Sequence, residues 1–196
     1  MAAPLGAALL DVESAMATEL PGQVPAAVLV AMWLGTEVPI EECLRVVFTV
    51  RRADLRRHAG EVSFPGGRRD ADDRDLAATA LREADEEIGL PAHAVRIVGA
   101  LPPTSTFVTN YAIYPFVGLF ASRRSWRPSE HEVDEVIEVT LSDLRASAGT
   151  TTITRRGMTF QTPAYQAGAR VIWGATARIV DHLLERTAAL RAQSAA

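Results

Sequence analysis

Residues 66–90, GGRRDADDRDLAATALREADEEIGL, decide how this 196-residue chain is read. Two glycines lead a loop of mixed charge into a segment where Glu83, Glu86 and Glu87 fall three and four residues apart, the spacing of one helix face. No cation stands one turn further on, so the carboxylates repel one another at a cost in stability, and that cost invites a chemical reason. Leu76, Ala80, Ala84 and Ile88 recur every fourth residue and predict the buried stripe, with the three glutamates outward in a row. Asp75 is placed to cap the helix N-terminus and Gly89 to stop its C-terminus.

Apolar residues make up 48% of the chain, enough for one well-buried core and short of two full domains. The expected division is an N-terminal arm or helix over residues 1–24, one domain over 25–190, and a frayed tail over 191–196. A net charge of -4 argues against a general nucleic-acid binder, which needs a cationic field to release counterions. The longest apolar run, residues 24–34, contains Pro25 and is too short to span a bilayer, and no basic region precedes the apolar N-terminal residues. A cytoplasmic protein with no membrane partner is expected. The single cysteine, Cys43, leaves no internal disulfide and no thiolate zinc cluster. All 20 basic residues are arginine, so neither a Walker phosphate loop nor Schiff-base chemistry is available.

Residues 26–34 and 44–50 read as strands that pair with each other. Residues 95–101, 111–120 and 133–139 read as further strands, and Pro115 places the second of these at an edge or a bulge. Residues 151–154 and 158–162 flank Arg155-Arg156-Gly157 as a hairpin. Residues 175–190 carry a helical period, with Ile179, Leu183 and Leu190 inward and Arg178, Asp181, Glu185 and Arg186 outward. Strands around two substantial helices predict an α+β or a three-layer α/β/α arrangement. Six arginines fall within residues 51–69, just ahead of the acidic helix, and residues 121–130 form a loop long enough to cover a site.

Three glutamates held together suit a hard cation bound through oxygen: Mg²⁺, with Mn²⁺ tolerated. Phe64-Pro65-Gly66-Gly67 lets the backbone approach a metal or a phosphate closely. Cations that bridge phosphate oxygens, a carboxylate that orients water, and arginine against developing charge are the parts a phosphoanhydride hydrolysis needs. His93, His131 and His182 have no ligand partners at useful spacing, and no Gly-x-Ser-x-Gly elbow supports a nucleophilic serine.

Arg82-Glu83-Ala84-Asp85-Glu86-Glu87-Ile88-Gly89-Leu90 resembles the second half of the Nudix box: Arg-Glu, apolar, any, Glu-Glu, any, Gly, apolar. The first half departs from the family. Asp73 stands where the family has Glu, and one residue more than the usual spacing separates it from Arg82. Asp73 is still placed to pair with Arg82 and brace the loop against the helix. Upstream, Phe48-Thr49-Val50-Arg51, Arg56, Gly60 and Phe64-Pro65-Gly66-Gly67 resemble the signature of Nudix hydrolases that cleave coenzyme A, with Arg52 where that signature has Ser or Ala. Tyr114-Pro115-Phe116-Val117-Gly118 and Ile172-Trp173-Gly174-Ala175-Thr176-Ala177-Arg178 are similar to the same subfamily.

The resemblance implies an α/β fold, the Nudix α/β/α sandwich with a mixed β-sheet. It implies Mg²⁺-dependent hydrolysis of the pyrophosphate of coenzyme A or its thioesters, giving 3',5'-ADP and 4'-phosphopantetheine or its acylated form. It assigns Glu83, Glu86 and Glu87 as metal ligands with the Gly66 carbonyl, Arg82 as structural, and Arg51 and Arg56 to substrate phosphate. The water-activating base is Glu83 or Glu86, or one of Glu130, Glu132 and Glu135 from the later loop, of which Glu132 is the choice. NADH, ADP-ribose and nucleoside triphosphates are alternative substrates, because flanking residues set the leaving groups. A non-catalytic nucleotide-sensing domain is the alternative class, and the intact glutamates argue against it. The resemblance is compatible with a homodimer.

Overall fold

The computed structural model describes residues 2–35, 43–54, 59–106, 110–155 and 157–188. Arg56, Arg156 and Leu190 lie outside the described residues. Two short helices, α1 (Ala2–Ala8) and α2 (Val12–Met16), open the chain, and Asp11 caps the second by accepting from the Ser14 amide. Leu5 is fully buried and Leu9 nearly so, both within the core. The N-terminal residues are therefore packed helices and not a loosely held arm.

Strands β1 (Val24–Leu34), β2 (Leu44–Arg51), β3 (Val62–Ser63) and β4 (Gly66–Arg68) lead into helix α3 (Leu76–Ile88). Strands β5 (Arg96–Ala100), β6 (Thr104–Ser105), β7 (Tyr111–Phe120) and β8 (Val133–Thr140) follow, then the short helix α4 (Leu141–Ala146). A second, three-stranded sheet is built from β9 (Gly149–Arg155), β10 (Met158–Ala167) and β11 (Arg170–Trp173), and helix α5 (Gly174–Arg186) comes last. The expected hairpin is β9–β10, and β10 also pairs with β11 on its other side.

In the main sheet β2, β1, β7 and β5 lie side by side, β3 and β8 pair with β2, β4 with β1, and β6 with β7. β1 and β7 run parallel from Val24↔Tyr111 to Trp33↔Phe120, and the other pairings are antiparallel. A parallel pair needs a crossover, and here the crossover carries α3. Strand periodicity sorts the side chains onto two faces. Val30 and Met32 join Val46, Phe48 and Val50 in one cluster, against α4, α5 and the N-terminal leucines. Leu29, Ala31 and Trp33 join the other, against Ala77, Ala80, Ala84 and Ile88 of α3. Both faces are covered, which gives the α/β/α sandwich with a mixed sheet.

Pro115 does not put its strand at an edge, since β7 lies between β1 and β5. It stands where the neighbour changes: β5 pairs as far as Phe116 and β6 begins at Ile113. Its carbonyl accepts from the Leu101 amide at 2.9 Å, so its missing N–H faces this break and removes no ladder bond. On α5, Ile179 and Leu183 are buried as the period predicts. Arg178 and Asp181 are engaged instead of facing freely outward: Arg178 donates to the Ser105 carbonyl, and Asp181 accepts from the Tyr165 hydroxyl. No helix among the described residues is long and apolar enough to cross a membrane.

The packing of α1 is open to a direct test. Leu5→Ala is expected to lower the unfolding free energy by about 2–5 kcal/mol in a urea titration, the usual cost of emptying a leucine site. A free arm would leave the midpoint where it is.

Candidate active site

Helix α3 starts where the sequence places it. The Asp75 side chain accepts from the Ala78 amide at 2.7 Å, and Gly89 ends the helix in the left-handed region at φ 68°. A side chain at Gly89 would also meet Arg127, whose Nε lies 2.9 Å from the position of an added Cβ. The loop before the helix is tied to it by Asp73, which is 7% exposed. Its carboxylate accepts from Arg82 Nε and Nη2, both at 3.0 Å, from the Thr79 hydroxyl at 2.9 Å and from the Asp70 amide at 2.9 Å. The Arg82 hydrogen bond is the main reason that the Asp73 carboxyl is held down at about 2, against burial. The shorter acid and the extra loop residue thus still brace loop against helix.

The three glutamates do not stand outward in a row. Glu86 is exposed, Glu83 is half-buried and Glu87 is buried, with side-chain exposures of 59%, 16% and 6%. Glu83 turns toward the Gly67 backbone and Glu87 toward Arg51, while the backbone of the loop after β7 lies along the end of α3: the Ser129 amide donates to the Glu87 carbonyl at 2.8 Å and the Arg127 amide to the Ile88 carbonyl at 3.1 Å. The cation that relieves the repulsion comes from one turn earlier. Arg82 reaches Glu86 Oε2 and Glu83 Oε1, each at 3.0 Å. Glu83 lies against Gly67, where an added Cβ would come within 2.4 Å of its Oε1. Gly66 is pressed onto β1, where a Cβ would overlap the Ala27 carbonyl oxygen at 2.3 Å.

Burial dominates the electrostatics. Desolvation raises the Glu83 carboxyl, with Arg82 opposing and Glu86 and Glu132 adding to the rise. It pushes Glu87 up to about 8, opposed by Arg51 and reinforced by the charges of Glu83 and Glu132. Arg51 Nη1 is 4.0 Å from Glu87 Oε1, and its Nη2 is 3.9 Å from Glu132 Oε2. Of the sequence-derived candidates, Glu83, Glu87, Arg51 and Glu132 therefore share one locality, with Glu86 at its rim. Glu135 points elsewhere, 3.4 Å from Arg170. Arg56 is outside the described residues.

Among the described residues, no three acidic, histidine or cysteine side chains are gathered closely enough to hold a metal ion. The expected ligand set is present on one helix but is not drawn together. Glu83 and Glu86 turn to Arg82, and Glu87 turns to Arg51, each carboxylate meeting the nearest positive charge. The donors nevertheless fit a hard cation. Glu87 Oε2 is buried without a hydrogen-bond partner, and a buried carboxylate oxygen left so costs free energy that a divalent ion offsets. The spacing showed the acidic face, but not the burial of Glu87 or the clasp of the later loop on the helix end, which depend on residues more than thirty positions away.

Residues 28–159 match the family described as NUDIX domain. The chain is 38% identical over 140 residues to the uncharacterized Nudix hydrolase NudL of Pectobacterium atrosepticum, covering 70% of this chain and 72% of the relative. A NudL from Salmonella newport matches at the same identity and coverage. Among solved structures, the fold is similar to a C. elegans Ap4A hydrolase binary complex, with a TM-score of 0.53 at 16% identity, covering 87% of this chain and 98% of that one. It is also similar to a MutT/nudix family protein from Enterococcus faecalis, with a TM-score of 0.55 at 12% identity, covering 88% and 64%. The matched domain spans the sheet, the Gly66-Gly67 turn and the acidic helix described above, and the chain belongs to the Nudix hydrolase family.

Proposed function

We propose that this Nudix hydrolase cleaves the pyrophosphate bond of coenzyme A or its thioesters with the help of Mg²⁺, releasing 3',5'-ADP and 4'-phosphopantetheine or its acylated form. The observation that carries the reading is the setting of Arg51. It is the signature arginine upstream of the box, and its guanidinium lies between the buried Glu87 and the exposed Glu132, at the mouth of the glutamate cluster. A phosphate placed beside it meets a fork of donors on one side and the cation-binding carboxylates on the other.

Glu83, Glu86, Glu87 and the Gly66 carbonyl would hold the metal, which supplies charge to the phosphate oxygens and acidity to a bound water. In the hydrolysis itself, the water oxygen bonds to phosphorus, the bridging P–O bond breaks, and the bridging oxygen leaves with the other phosphate. Glu132 takes the proton of that water. Its side chain is half exposed and faces Arg51, so it can exchange the proton with solvent after each turnover. We assign the protein to the cytoplasm, where coenzyme A and free divalent cations meet.

Three measurements test this. With Mg²⁺ present, turnover of coenzyme A is expected to exceed that of NADH, ADP-ribose and dGTP compared side by side, with 3',5'-ADP as a product; preference for any of the other three overturns the substrate assignment. Glu86→Gln should lower kcat by at least about 100-fold, the scale of losing one preorganised charge contact, while thermal stability stays close to the parent. The third concerns pH in the metal-free protein. Glu87 titrates near 8 when folded against an ordinary 4.5, so the folded state keeps a proton that the unfolded chain releases. Its contribution is fully present below the ordinary glutamate range and is lost as pH rises toward 8. Denaturant titrations across that window should show stability falling with pH, and Glu87→Gln should flatten the slope.

A further inference from the structure

The β2–β8 ladder breaks where the catalytic loop begins. Pairing runs in register from Arg45↔Thr140 to Val50↔Glu135, then shifts so that Arg51 faces Val133. Such a bulge frees the strand end from the ladder and re-aims the side chains next to it. Past the shift the ladder is down to the Arg51–Val133 pair and the Arg52–Glu132 bond, so the regular sheet alone does not set the position of Glu132.

Arg52 stands at this break. Its amide donates to the Glu132 carbonyl at 3.0 Å, and its Nη1 donates to the Glu130 carbonyl at 2.7 Å. The rest of the guanidinium is fixed by a two-pronged contact with Asp54, Nε to Oδ1 at 2.9 Å and Nη2 to Oδ2 at 2.8 Å. On its other side the loop is closed by a turn, with the Glu132 and Val133 amides donating to the Ser129 carbonyl, and Ser129 is itself held on the end of α3. Glu132 is thus set between two anchors, one on the acidic helix and one on Arg52. Arg52 and Asp54 are 40% and 65% exposed, and an ion pair in such a place contributes little to stability. What it can supply is geometry. The fork leaves one guanidinium edge free to face the Glu130 carbonyl, so the side chain acts as a strut across the gap that the ladder leaves open.

We propose that Arg52 is a positioning residue that acts through Glu132, holding the loop so that the base faces the water-binding side of the glutamate cluster. The inference rests on the reading of Glu132 as the base.

The test uses Arg52→Ala, Arg52→Lys, Glu132→Gln and the combination of the first with the last. Arg52→Ala is expected to lower kcat for coenzyme A about tenfold, within the range that a small misplacement of a reacting group produces, with KM and melting temperature little changed. Arg52→Lys, which keeps the charge but not the planar fork, should fall between Arg52→Ala and the parent. In the metal-free protein, hydrogen exchange at the Glu132 and Val133 amides should quicken in Arg52→Ala. The decisive arm is the Glu132→Gln background. If Arg52 works through Glu132, adding Arg52→Ala there should cost nothing further. A slow Glu132→Gln enzyme in which Arg52→Ala still costs its full tenfold overturns the positioning role alone, as does an Arg52→Ala enzyme with the parent kcat and exchange rates. A fully active Glu132→Gln enzyme overturns the base assignment, and the role of Arg52 with it.

Discussion

The guanidinium of Arg82 donates to both oxygens of Asp73, to Glu83, to Glu86 and to the Arg68 carbonyl. Asp73 is buried, and that fork, with the Thr79 hydroxyl and the Asp70 amide, is what offsets the burial of its charge. The loop carrying Gly66 and Gly67 is held to the helix by this arrangement, and the same side chain orients two of the three glutamates. Glu87 and Glu132 lie beyond its reach and are gathered by Arg51 instead.

The glutamate face is graded from solvent to interior within little more than one helical turn. Glu86 reaches water, Glu83 lies along Gly67, and Glu87 is buried beside Arg51 with one oxygen unpartnered. Burial makes Glu83 and Glu87 resist ionisation, and the more buried of the two has the more to gain from a divalent ion. Loop 121–132 is bonded to the end of α3 and delivers Glu132 to the other side of Arg51. Its far end is fixed too, because Glu138 on β8 accepts from the indole of Trp126 in the loop at 2.8 Å and from that of Trp33 on β1 at 3.0 Å.

The residues that resemble the coenzyme A signature divide by physical role. Phe48 and Phe64 are core, their rings 4.7 Å apart, and they hold β2 to the turn before the box. Gly66 and Gly67 are required by close approach, the one to β1 and the other to Glu83. Among the described members with charged side chains, Arg51 faces the glutamates. Much of the motif is therefore a way of closing a loop on a sheet, and few of its side chains are left to choose a substrate.

Local physics made the rest of the sequence legible. The cap at Asp75, the stop at Gly89, the strands at β1, β2, β7 and β8, and a helix face bearing three glutamates follow from short-range rules of spacing and propensity, because the partners are a few residues apart or obey a repeat. The pairing of Asp73 with Arg82 follows from the resemblance to the Nudix box. Tertiary structure decided what those rules cannot reach. It buried Glu87, put Pro115 inside the sheet at a break between two neighbours, packed Leu5 and Leu9 into the core, and drew Glu132 but not Glu135 to Arg51. Each of these outcomes depends on which distant segment covers a given face, and burial and charge then follow from the cover rather than from the residue itself.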